Sequence, residues 1–190
     1  MHVFVGRHIP WRNLLSREQL LPSHKLSLSL QQAELFAFEI AHFRGSKVVE
    51  PRDTLGGIYV VSVEFERLKS YWKDWPAFED LAFNECGVDG PRISYWLPPL
   101  DPSKAPKKGV YAPFGYKKTS PELEVVYATA AKLAAECGEC GPGGTVTLTP
   151  EALLLSVLAH PELSISQKLR DSGIDAAQVE AALRRGRSLR

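Results

Sequence analysis

The strongest constraint on this chain is that it repeats itself. From Leu28 it runs LSLQQAELFAFEIAHFRG, and from Thr119 it runs TSPELEVVYATAAKLAAECG; both stretches are apolar-periodic and close on a glycine, Gly45 and Gly138. Further on, NECGVD at 84–89 parallels RDSGID at 170–175. Gly138 follows Gly45 by 93 residues and Gly173 follows Gly87 by 86, so the matches keep their order and nearly their spacing. One such copy cannot bury its apolar face alone, so two copies are expected to close over a common core. A length of 190 residues suits that arrangement.

The second copy carries the sharper local signals. Ser120, Pro121 and Glu122 are a helix start: a hydroxyl cap, a proline whose missing N–H costs nothing there, then an acid near the positive helix end. Leu123, Val126, Tyr127, Ala130, Leu133, Ala134 and Cys137 follow at three- and four-residue spacing, and Gly138 stops the helix. Thr149, Pro150 and Glu151 repeat the start signal. Leu153, Leu154, Leu155, Val157 and Leu158 then make a helix apolar on most sides, which belongs in the centre of a bundle. Further helices are predicted over about 163–172 and 176–184.

In the first copy, Gln31 to Arg44 forms a helix with Ala33, Phe36, Ala37, Ile40 and Ala41 inward, and Pro76 starts another bearing Phe78, Leu81, Ala82 and Cys86. Between them, Ile58, Tyr59, Val60, Val61, Ser62, Val63 and Phe65 are β-branched or aromatic and locally favour a strand. The repeat alignment requires a helix there and takes precedence, because tertiary context overrides propensity. The domain reading is an N-terminal extension at 1–26, a divergent first copy at 27–97, a Pro/Lys-rich linker at 98–117 and the second copy at 118–187. The extension carries Trp11, Leu14, Leu15, Leu20 and Leu21, which could lie along the domain surface.

Hydrophobic residues make up 44% and charged residues 24%, an ordinary globular balance that argues against disorder. A net charge of +1 gives no global drive towards nucleic acid or an anionic membrane. The local basic clusters, Lys104, Lys107, Lys108, Lys117 and Lys118 and then Arg184, Arg185, Arg187 and Arg190, fit solvated linker and tail charges. No segment is long and apolar enough to span a bilayer, and Met1 to Trp11 lacks the apolar core of a signal peptide. Three cysteines, an odd number, argue against a secreted disulfide scaffold, so a reducing cytoplasm is the expected setting.

These residues resemble the Clp N-terminal repeat, the module at the front of ClpA-, ClpB- and ClpC-type AAA+ unfoldases. Ser120-Pro121 matches its helix start, Thr149-Pro150-Glu151-Ala152-Leu153-Leu154-Leu155 its central segment, and Ser172-Gly173-Ile174-Asp175 its turn. The likeness covers about 65 residues of the second copy; residues 28–97 share it through the first helix and Cys86-Gly87-Val88-Asp89. It implies a mainly α fold: a double Clp N-terminal repeat, two four-helix units with pseudo-two-fold symmetry. No G-x-x-x-x-G-K-[ST] loop is present, and GPGG at 141–144 lacks the following lysine, so the chain is not the ATPase itself.

The resemblance implies a non-enzymatic interaction protein: a stand-alone accessory or adaptor subunit, like plastid ClpT-type proteins, engaging a Clp-type AAA+ ATPase, a ClpP-type protease or protein substrates. Its expected state is a monomer, without nucleic acid or membrane, in the cytoplasm, or in the plastid stroma of a photosynthetic eukaryote. An alternative is the detached substrate-recognition domain of a larger unfoldase. In the family, the helix-start hydroxyl and the central-segment Glu can form a pocket for phosphorylated arginine. Carried over by position, this nominates Ser120 and Glu151, with Thr149 at the same helix start; each also fits an ordinary helix start. In the first copy Ser29 stands for the hydroxyl, while Gly56 and Gly57 occupy the region where the Glu should be.

A third reading, from another class, is a thiol redox or zinc protein using Cys137-x-x-Cys140. Zinc needs about four ligands, which only Cys86 and scattered histidines could complete, and this pair closes a helix where redox pairs normally open one. Histidines 2, 8, 24, 42 and 160 lack metal-ligand spacing, and no Ser-His-Asp or Cys-His arrangement emerges from residue order. No catalytic residue, metal or cofactor is therefore expected. Tyr71, Trp72, Trp75 and Phe78 fall in one segment and suit a core or the seam between copies, or a partner hot spot.

Overall fold

The computed structural model describes residues 24–64, 66–88, 118–137 and 145–185. Residues 1–23 of the N-terminal extension, Phe65, the first copy from Asp89 to its end at 97, the whole linker, the predicted helix stop Gly138, Cys140, the GPGG stretch and the end of the basic tail lie outside the described residues. The described part is mainly helical. In chain order it runs β1 (His24–Leu26), α1 (Leu28–Phe43), β2 (Val48–Val49), α2 (Pro51–Glu64), α3 (Glu66–Lys69) and α4 (Trp75–Asn84). The second copy then gives β3 (Lys118–Thr119), α5 (Pro121–Glu136), β4 (Val146–Leu148), α6 (Pro150–Ala159), α7 (Ser164–Asp171) and α8 (Ala176–Arg185).

The copies match in local chemistry. α1 and α5 each have 16 residues and a serine cap: Ser27 Oγ accepts from Leu30 N–H at 3.3 Å, and Ser120 Oγ from Leu123 N–H at 3.2 Å. α1 ends on Gly45 at φ 73°, where Gly45 N–H donates to His42 O and Ser46 N–H to Ala41 O, so the last carbonyls of the helix are satisfied. Gly87 and Gly173, the paired glycines of the second match, have φ 74° and 77°. A side chain at either position would be strained.

The short strands cross between the copies. β1 pairs parallel with β4, placing Leu26 opposite Leu148, and β2 pairs parallel with β3, placing Val49 opposite Thr119. The ladders are extended by Ser27 N–H to Leu148 O and by Ser120 N–H to Val49 O, both 2.8 Å. In each case the strand before one copy's long helix joins the strand before the other copy's central helix.

The β-branched run at Ile58 is helical, within α2. Ile58, Tyr59, Val60, Val61 and Ser62 are all buried, so the helix is enclosed on several sides and burial outweighs local strand preference. Ser62 Oγ satisfies itself by donating to Ile58 O at 2.7 Å. Gly56 and Gly57 do not stand where a carboxylate is missing. They lie mid-helix and let α2 press onto α1, with a Cβ at Gly57 falling 2.0 Å from Ala33 O. Arg44, at the end of α1, fixes the turn between the two helices by a bidentate pair to buried Asp53 at 3.1 and 2.8 Å.

α6 is the most enclosed helix of the second copy: Ala152, Leu153, Leu154, Val157 and Leu158 are buried, and Ser156 Oγ donates to Val126 O of α5 at 2.6 Å. Burying one such Leu or Val side chain is worth about 1.5–3 kcal/mol, so this helix anchors its half. Val179 and Leu183 of α8 are buried with it. One apolar cluster runs through both copies, from Leu30 and Phe36 to Leu169 and Leu183. Among the described residues, no helix is long and apolar enough to cross a membrane.

Candidate functional site

The two strand crossings create two junctions of helix starts. At the first, the starts of α2, α5 and α7 line a cleft of about 550 Å³, whose charged and polar lining includes Glu50, Arg52, Glu85, Ser120, Glu122 and Lys168. Helix starts concentrate unpaired N–H groups and partial positive charge, which draws in acids. The cleft balances that charge internally: Arg52 Nε reaches Glu50 at 2.8 Å, and Lys168 Nζ reaches Glu85 at 2.5 Å. Ser120 is 3% exposed at the cleft wall, with its oxygen committed to the α5 cap.

At the second junction Ser27 meets the start of α6. Thr149 Oγ1 caps that helix by accepting from Ala152 N–H at 3.4 Å. Glu151, in its first turn, is 4% exposed. Its Oε1 accepts from Tyr71 Oη–H at 2.8 Å and from Arg67 Nη2–H at 2.9 Å. Burial, and then the Glu151 charge, push the Tyr71 phenol well above its usual range, so the proton stays on Tyr71 and points at the carboxylate. The carboxylate is thus held by a buried hydroxyl and a guanidinium whose side chain is 70% exposed.

Of the residues nominated from sequence, Ser120, Thr149 and Glu151 all stand at helix starts. The crossings then assign them to different junctions: Ser120 N–H bonds Val49 O ahead of α2, whereas Leu148 O ahead of Thr149 receives the N–H of Ser27. The first-copy hydroxyl is Ser27 and not Ser29, whose Oγ lies 3.2 Å from that of Ser27. Sequence held the signal, since Ser27 precedes Ser120 by the same 93 residues that separate Gly45 from Gly138. The second residue of α2, matching Glu151 in α6, is Arg52, and carboxylates flank it at Glu50 and Asp53.

The remaining candidates are structural in their surroundings. Cys86 is fully buried, and burial, with Asp53 and Glu85, pushes its thiol up to about 12; such a thiol is inert at neutral pH. Cys137 is buried at the C-terminal cap of α5. Among the described residues, no group of His, Cys, Asp or Glu is arranged to hold a metal ion. His160 is a local polar contact between Thr129 Oγ1 at 2.8 Å and Glu162 at 2.7 Å.

The aromatic segment forms a seam. Trp72 stacks on Phe78 at 3.9 Å and its Nε1–H donates to Ser172 Oγ at 3.2 Å. Lys73 N–H to Gly173 O and Asp175 N–H to Tyr71 O, at 3.1 and 2.7 Å, bind the same segment to the turn of the second copy.

No family model matches the chain, and no curated protein matches it.

Proposed function

We propose that the chain is a non-enzymatic protein-interaction module of the double Clp-repeat kind, two four-helix units related by pseudo-two-fold symmetry. In this reading it is an accessory or adaptor subunit that binds a Clp-type AAA+ chaperone–protease or its substrates. The observation that carries the reading is the reciprocal strand crossing. Exchanging the copies turns the β1–β4 pair into the β3–β2 pair and Ser27 into Ser120. Paired glycines at Gly87 and Gly173 with the same left-handed backbone support it.

The open junction is the preferred binding surface. It offers helix-start polarity, the Ser120 wall and the carboxylate of Glu50 beside Arg52, groups that suit a ligand carrying both an anion and a guanidinium. At the second junction Glu151 is buried and held by Tyr71 and Arg67, whereas Glu50, although paired with Arg52 and Arg44, keeps a side chain that is 32% exposed, so one receptive site is expected and not two.

The test is co-purification of the native protein with Clp-type ATPase and protease subunits, run beside titration of the protein with phosphoarginine followed by NMR. Enrichment of those subunits, with Arg52→Glu weakening it, supports the reading. No enrichment, together with no shift of Ser120 or Glu50 resonances, overturns it. The redox or metal alternative is tested separately by metal analysis and a thiol titration of the native protein. Bound zinc, or thiols that react rapidly near neutral pH, would favour that alternative.

A further inference from the structure

Glu34 sits where no carboxylate should be comfortable. It is 2% exposed on α1, and neither of its oxygens has a hydrogen-bond partner within normal range. The polar groups facing it come from both copies: the Thr54 hydroxyl of α2, itself buried without a partner, and the Tyr127 hydroxyl of α5. The charge acting on it is that of another acid, Asp53 of α2, whose own guanidinium partner, Arg44, is turned to Asp53. No salt bridge reaches Glu34 among the described residues. An ionised carboxylate buried with hydroxyls alone for company is far costlier than the neutral acid, which can donate to either of them.

We infer that Glu34 is carried as a neutral carboxylic acid at the seam between the copies, and that its ionisation makes the docking of α1 and α2 against α5 sensitive to pH. The same surroundings raise its pKa from 4.5 to about 7; burial leads, the Tyr127 and Thr54 hydroxyls oppose it, and Asp53 adds to it. Because the folded value exceeds the unfolded one, the contribution of the neutral acid is complete below about 4.5 and is lost as pH rises to about 7. Across that window the folding equilibrium falls by about 300-fold from this one group. The seam is therefore tightest in mild acid and loosest just above neutrality.

Another buried acid on the same helix is a confounder. Glu39, also on α1, is 4% exposed without a partner, and burial raises it to about 7 as well. The experiment must separate the two. Carboxyl-labelled glutamate followed by NMR gives each residue its own titration in the wild-type protein. Amide exchange of α5 around Tyr127, corrected for the intrinsic pH dependence, reads the seam. Glu34 is expected to titrate near 7 while α5 protection falls through the same window. Glu34→Gln, a neutral isostere, should lower the slope of the protection profile, and Glu34→Gln combined with Glu39→Gln should flatten it. A Glu34 midpoint in the ordinary carboxylate range overturns the inference even if the Gln variant fails to fold. So does a Glu34→Gln profile that still follows the wild type.

Discussion

Replacing Gly57 by alanine tests the packing of the first copy at its tightest point. A Cβ there would lie 2.0 Å from Ala33 O, 2.9 Å from Ala33 C and 3.2 Å from Ala37 N. All three are backbone atoms of α1, so no rotamer change relieves the overlap and the two helices must move apart. Overpacking in a filled core costs about 1–3 kcal/mol and occasionally more. A clash against backbone belongs at the upper end, while the better helix propensity of alanine returns about 1 kcal/mol. The net expectation is a loss of about 2 kcal/mol. For a domain of this size it lowers Tm by about 4–8 °C, read by circular dichroism on thermal unfolding. Gly56→Ala is the internal control. Its nearest neighbours, at 2.8 and 3.0 Å, are the side-chain tips of Ile40 and Val88, which can shift, so it should cost clearly less. A Gly57→Ala protein as stable as the wild type would refute the close approach of α1 and α2.

Four further outcomes are expected. Tyr71→Phe should destabilise by about 1–2 kcal/mol in urea, because it leaves the buried acceptor Glu151 a donor short. Arg67→Ala should cost less than about 1 kcal/mol, since that side chain is 70% exposed and its pair is screened by solvent; the reverse order would contradict the assignment of the buried bond as dominant. Ser27→Ala and Ser120→Ala should each cost about 1 kcal/mol through loss of a helix cap, with Ser29→Ala near neutral, again by urea denaturation. Cys86 should escape alkylation at about pH 8 in the folded protein and react in denaturant, as mapped by mass spectrometry; rapid native labelling would contradict its burial and raised pKa.

Sequence disclosed most where the signal was local. Ser120-Pro121 and Thr149-Pro150 open α5 and α6 where expected, because a capping hydroxyl followed by proline has few other uses. α1 begins at Leu28, three residues before the predicted Gln31. Its cap, Ser27, has no proline behind it, and Leu28 is 71% exposed, so the apolar stripe gives no early cue. Helix formation over Ile58–Val63 was legible only through the repeat, not through propensity. The four strands among the described residues, each two or three residues long, were invisible, being too short to show alternation.

The candidate site shows the same division. Glu151 and Thr149 were identifiable as helix-start residues. Their partners were not, because Tyr71 and Arg67 lie about 80 positions away in the other copy and reach Glu151 only through tertiary packing. Pairing Ser120 with Glu151 assumed that each copy completes its own junction, and the crossing of the strands exchanges them. Gly56 and Gly57 were noticed for what they lacked, when their function is to bring two backbones together.

Because every ladder among the described residues takes one strand from each half of the chain, neither half completes an edge alone. A protein cut between 89 and 117 should therefore yield two fragments that are poorly ordered apart and regain their helices on mixing. The same property permits a trade between molecules. At high concentration the second copy of one chain can satisfy the first copy of another without changing a single pairing, so reciprocal dimers are the natural by-product of this architecture.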